Sequence, residues 1–212
     1  MAATHLPERR YTRVAIALHW TMAALILFNL GLGFFMEGLP PPYRFIVIFL
    51  HISAGMTLLV LTVVRVAWRL GHRPPPFPAG LATWERGAAH LVHAGLYVAM
   101  IAMPVIGWSI ISANPPADAA WLKTPARPAM KLWGVIPTPR ITPLVEMGRT
   151  ESGAAQQKIL HDRFVGWHAI GGYLMIALLL LHVAGALKHE FVDRHAELAR
   201  MGVSRRPRRG TI

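Results

Sequence analysis

Six histidines sit in stretches that contain no Asp, Glu, Lys or Arg: His19, His51, His90, His93, His168 and His182. Imidazole binds metals through a ring nitrogen and changes charge near neutral pH. An ionisable group among apolar residues is costly to keep, which makes each of these a functional candidate. His168 and His182 are 14 residues apart. On an α-helix that is about 21 Å of rise and close to four full turns, so both rings point to the same side. Two such rings, each met by one from another helix, could clamp two stacked planar groups. Bis-imidazole ligation of b-type haem iron is the chemistry that fits, because haem is held by histidine and needs no cysteine.

The elements that must position these rings follow from the charge pattern. Asp, Glu, Lys and Arg are absent from Val14–Met36, Phe45–Val64, Gly87–Ala113 and Phe164–Leu187. A membrane span needs about 20 mostly apolar residues, and all four stretches meet that length. The chain is only 15% charged, against about 25% for soluble domains. The sequence therefore predicts an all-α fold: an integral membrane four-helix bundle with two stacked b haems and a long Pro-rich outer loop. We expect a single domain over 1–212, with spans about 14–36, 45–64, 87–113 and 164–187 and the outer loop at 114–163. The first span is expected to be retained. Its apolar run is too long for a signal-peptide core, and no small-residue cleavage site follows Phe34-Phe35-Met36-Glu37.

Four spans put both termini on one side. The segments on that side carry 14 of the 22 basic residues, among them Arg9, Arg10, Arg13, Arg65, Arg69, Arg73, Arg86 and Lys188, whereas the short opposite loop Glu37–Arg44 holds one. By the positive-inside rule both termini are expected in the cytoplasm. The threading then sets the depths: His19 and His182 near the inner face, His51 and His168 near the outer face. Each level holds two histidines from different helices.

Other residues keep several readings. His90 and His93 share a face at i, i+3, level with the inner pair. They can be alternative ligands, quinone or propionate contacts, or polar interface residues. His189 lies seven residues after His182 and is expected on the same face just beyond it, as a quinone head-group donor or a plain interfacial histidine. Gly55, Gly171, Gly172 and Gly185 admit close approach of either a helix or a porphyrin. Propionate cations would come from Arg13, Arg65 or Arg69 inside and from Arg44 or Arg163 outside, unless these arginines snorkel to lipid phosphate.

Composition excludes other chemistry. With no cysteine there is no disulfide framework, thiolate zinc site, iron–sulfur cluster or covalently attached CxxCH haem. The net charge of +12 flanks hydrophobic spans, where it marks topology and anionic lipid rather than nucleic acid. A divalent-metal transporter is disfavoured because no Asp or Glu lies within a span and the histidines avoid the midplane.

Tyr11-Thr12-Arg13 leading to Leu18-His19-Trp20, Leu50-His51-Ile52-Ser53-Ala54-Gly55, Ala89-His90-Leu91-Val92-His93, Gly166-Trp167-His168 and Leu181-His182 together resemble the bacterial cytochrome b561 family, over roughly residues 9–195. These are small di-haem cytochromes of the inner membrane. The resemblance implies two haem b with axial ligands His19, His51, His168 and His182, the set that depth alone selects. It also implies electron transfer from a periplasmic one-electron donor to ubiquinone, with superoxide as the leading donor and an oxidoreductase activity. Arg44, Lys158 and Arg163 would then steer the anion. The alternative is a cytochrome b anchor that passes electrons between quinone and a periplasmic dehydrogenase or hydrogenase docked on residues 114–163.

Overall fold

A computed structural model describes residues 10–78, 80–113, 130–195 and 197–203. The chain is mostly helical, and four helices are long and apolar enough to cross a membrane. α1 spans Arg13–Phe35, α2 Tyr43–Gly71, α3 Thr83–Ser112 and α5 Glu151–Leu187. Two short strands, β1 (Met130–Leu132) and β2 (Ile136–Thr138), and α4 (Thr142–Met147) lie between α3 and α5; α6 (Glu197–Arg200) closes the described chain.

Local chemistry sets the helix ends. Thr12 caps α1, its hydroxyl accepting from the Ala15 N–H at 3.2 Å. Thr150 does the same for α5 with the Gly153 N–H, at 3.1 Å, satisfying donors that a helix start leaves orphaned. α2 begins directly after the Pro40–Pro42 run, and Glu85 accepts from the Ala82 N–H at the start of α3. α5 has 37 residues, about 55 Å of helix against a hydrocarbon core of about 30 Å. Its first 13 residues, expected to be loop, form a helical extension ahead of Phe164. At its other end the α-helix passes into a π-helical turn, Lys188–Val192.

The densest helix pairings are α1 with α2 and α3 with α5, and α2 with α3 joins the two halves. The buried core is a waist: Met22 and Ile26 from α1, Leu58 from α2, Leu96, Ala99 and Met100 from α3, and Met175 from α5. Met175 is seven residues from both His168 and His182, so the tightly packed layer sits between the two histidine levels. The first and last described segments meet at one end of the bundle. The Tyr11 N–H donates to the Arg200 carbonyl at 3.3 Å, Trp20 Nε1 donates to the Met201 carbonyl at 3.0 Å, and Arg200 donates to the Pro76 carbonyl at 2.6 Å.

At the opposite end, α4 and the strands form a cap tied to three helices. Gln157 of α5 donates to the Leu144 carbonyl at 2.7 Å, and Trp108 of α3 donates to the Pro139 carbonyl at 2.8 Å. The β-hairpin tip reaches α2. The loop between the strands is Trp133–Val135; the Val135 N–H donates to the Leu132 carbonyl at 3.0 Å, closing a turn over Trp133 and Gly134, both of positive φ, which glycine accepts without strain. Residues 114–129, which include Trp121, lie outside the described residues.

Candidate functional site

The sequence-predicted pairs come together. The ring centres of His51 and His168 are 5.9 Å apart, inclined at 74°. Those of His19 and His182 are 6.0 Å apart at 73°. Two imidazoles bound to one metal ion at about 2 Å per bond, with each nitrogen about 1.1 Å from its ring centre, place the centres roughly 6 Å apart. Both pairs have that spacing, and all four rings are partly buried.

The outer pair is held with some care. His51 Nδ1 lies 3.0 Å from the Asn29 carbonyl oxygen. A carbonyl only accepts, so Nδ1 carries the proton and Nε2 keeps a free lone pair, the state a metal ligand needs. Glycines from the neighbouring helices press on both rings. A Cβ at Gly33 of α1 would stand 3.3 Å from His51 Cε1, and one at Gly107 of α3 would stand 3.4 Å from His168 Cε1. Neither glycine stood out in the sequence, because what marks them is a neighbour on another helix rather than a spacing along their own. Of the glycines that did, Gly55 lies against Asn29 and Gly171 against Met103, both helix packing, while a Cβ at Gly172 or Gly185 would meet open space. The Oδ1 of Asn29 is buried without a hydrogen-bond partner among the described residues, and the Met103 backbone lies beside the His168 ring.

The inner level holds a third imidazole. His93 lies 5.1 Å from His182 at 63°, while His90, one turn away, meets Phe77 edge-on at 5.2 Å. Arg65 donates to the Tyr97 hydroxyl at 3.1 Å and lies within Coulomb range of His19, His93 and His182. Arg65 is thus placed beside this level, Arg69 is exposed but also within Coulomb range of His93, and Arg13 is exposed.

Other candidates are engaged elsewhere. Arg44 donates to the Glu37 carbonyl at 2.8 Å and the Leu39 carbonyl at 3.2 Å, closing the first outer turn. Lys158 pairs with Asp162 at 2.6 Å, and Arg163 is exposed. His189 is the second residue of the π-helical turn that follows α5. Its Nδ1 meets Asp193 at 2.7 Å. Lys188 joins this group, 2.6 Å from Glu85 and 2.7 Å from Asp193. Hydrogen bonds from Lys188 first, then His189, hold the Asp193 carboxyl below its ordinary range. Glu85, His189 and Asp193 are close enough to share a metal ion, but the Lys188 ammonium already supplies the positive charge there.

The model of one protein family, prokaryotic cytochrome b561, matches residues 10–202. The chain is similar to cytochrome b561 homolog 2 of Escherichia coli, 28% identical over 95% of each chain. It is also similar to cytochrome b562 of Cereibacter sphaeroides, 28% identical over 92% of this chain and 96% of that one. A third relative, named probable superoxide oxidase CybB, of Yersinia pestis, is 23% identical over 92% of this chain and 96% of its own.

Proposed function

The chain belongs to the prokaryotic cytochrome b561 family, and on that premise we propose that it is a di-haem carrier linking a one-electron donor at the outer, periplasmic face to ubiquinone in the membrane. It is a bacterial multi-pass membrane protein of a family that binds b haems and transfers electrons. His51 and His168 would hold one haem b and His19 and His182 the other. When bound, each haem supplies a one-electron carrier whose potential depends on its axial ligands, their hydrogen bonds and burial.

The observation that carries this reading is the repeated ring spacing, 5.9 and 6.0 Å, on either side of one packed waist. The protein's own part is positional. Asn29 sets the His51 tautomer, Gly33 and Gly107 fix ring positions, and Arg65 offers a cation to inner propionates. Superoxide is the leading donor, since one relative of similar length is named for its oxidation. Two superoxide ions yield two dioxygen molecules, and ubiquinone with two protons becomes ubiquinol. Exposed Arg163 stands at the outer end for an incoming anion. The excess of basic residues at the end that holds both termini supports a cytoplasmic location for them.

The test is a reduced-minus-oxidised visible spectrum of the purified protein with a pyridine haemochrome count, followed by stopped-flow superoxide decay with and without ubiquinone. Two low-spin b haems per chain and quinone-dependent decay are expected. A protein without haem after expression with adequate haem supply overturns the reading.

A further inference from the structure

We propose that the hairpin Met130–Thr138 is inserted into the membrane, its tip seated on α2 among the acyl chains. The argument begins from where the tip docks. The Trp133 backbone N–H donates to Ser53 Oγ, and its indole Nε1 donates to Thr57 Oγ1, each at 3.0 Å. Ser53 and Thr57 lie eight and twelve residues past Phe45, where the charge-free stretch of α2 begins. Along the helix that is about 12 and 18 Å below the start of the span, within a hydrocarbon core about 30 Å thick. Three residue pairs at about 3.4 Å each bring the other end of the hairpin, Met130 and Thr138, back towards the interface.

The composition of the hairpin suits that depth. Trp133, Val135 and Ile136 are 43%, 75% and 58% exposed, so the tip leaves apolar surface uncovered by the other described residues. Lys131 is the sole charge in Met130–Thr138, placed where its stem can carry the ammonium back to the headgroups. Non-helical backbone at membrane depth is tolerated only where protein covers its polar groups, and β1 and the turn after it lie against α2. Here the two strands pair with each other, with Met130 opposite Thr138 and Leu132 opposite Ile136. Ser53 and Thr57 accept the two Trp133 donors, and Pro137 in β2 has no N–H to leave unpaired. The base is clamped to α3 by the Trp108 bond to Pro139, by Arg140 on the Ile111 carbonyl, and by the Ile141 N–H on Ser112 Oγ at 3.0 Å. This part of the outer segment therefore faces lipid and leaves no surface there for a soluble partner.

The native chain has no cysteine, so single-cysteine variants report one position each. Val135→Cys and Ile136→Cys, with Glu146→Cys on α4 as the polar control, are spin-labelled in the full chain in liposomes. Power-saturation EPR then compares collisions with oxygen, which partitions into lipid, and with a water-soluble nickel chelate. The oxygen-to-nickel ratio at 135 and 136 is expected to exceed that at 146 several-fold. A ratio at 135 and 136 no higher than at 146 overturns the proposal, and either of the two variants suffices if the other does not fold.

Discussion

Enlarging Gly33 should disturb the outer histidine pair and leave the inner one alone. A Cβ there would stand 3.3 Å from His51 Cε1, about 0.4 Å inside comfortable carbon–carbon contact. The overlap costs about 1 kcal/mol, the lower end of the range for overpacking. Replacing glycine by alanine in a helix interior returns about the same amount. Gly33→Ala should therefore be close to neutral in stability, with the strain appearing as a ring displacement of a few tenths of an ångström. That displacement loosens the 3.0 Å bond from His51 to the Asn29 carbonyl. In a redox titration followed by visible spectroscopy, one of two haem components should shift while the other keeps its potential. Gly33→Leu has no such escape and should lower haem content from two per chain to one. Two unshifted haems in Gly33→Leu, or loss of the inner component, would refute the contact as the cause.

Three further outcomes follow from the same geometry. His19→Ala should lower the pyridine haemochrome count to one per chain, whereas His93→Ala should keep two; the reverse pattern would assign the inner ligand to His93. Asp193 has a depressed folded-state pKa, so its contribution to stability is complete above the ordinary carboxyl value of 3.8 and is lost as pH falls through the lower folded value. Thermal unfolding of Asp193→Asn should accordingly fall less steeply with acid than that of the native chain, and parallel curves would argue against the Lys188 pairing. Arg163→Gln should slow superoxide consumption about two- to threefold at low ionic strength and not at high salt, as expected of steering by one charge, with haem content unchanged; an equal rate at low salt removes the steering role.

Much of this architecture was legible because membrane helices leave coarse marks. Charge-free stretches of sufficient length gave α1, α2, α3 and the intramembrane part of α5, and the threading alone put His51 level with His168 and His19 level with His182. What stayed hidden depends on neighbours in space. The partner of His51 is a backbone carbonyl, which leaves no side-chain signature at Asn29. Gly33 and Gly107 are meaningful only against rings on other helices. The pairing of His189 with Asp193 belongs to a π-helical turn, which no spacing of residue types marks. Arg44 read as a free cation, yet the tight turn at Glu37–Leu39 needed a donor for its carbonyls. The hairpin at Trp133-Gly134 was too short, at three residues per strand, for any alternation to show.

The distribution of the four histidines also has a consequence for how the molecule is made. Each pair joins α5 to the first helical hairpin, His168 to His51 in α2 and His182 to His19 in α1. The partners are separated by 117 and 163 residues of chain. During synthesis from the N-terminus, α1 and α2 can associate early, but neither cage has its second wall until the last helix has entered the bilayer. On the haem ligation proposed here, cofactor loading would be a closing step of assembly, since a ligand that binds only the completed bundle stabilises it by mass action. A cell short of haem would accumulate two loosely joined helical hairpins, and quality control acting on that species would match the amount of this protein to the haem supply.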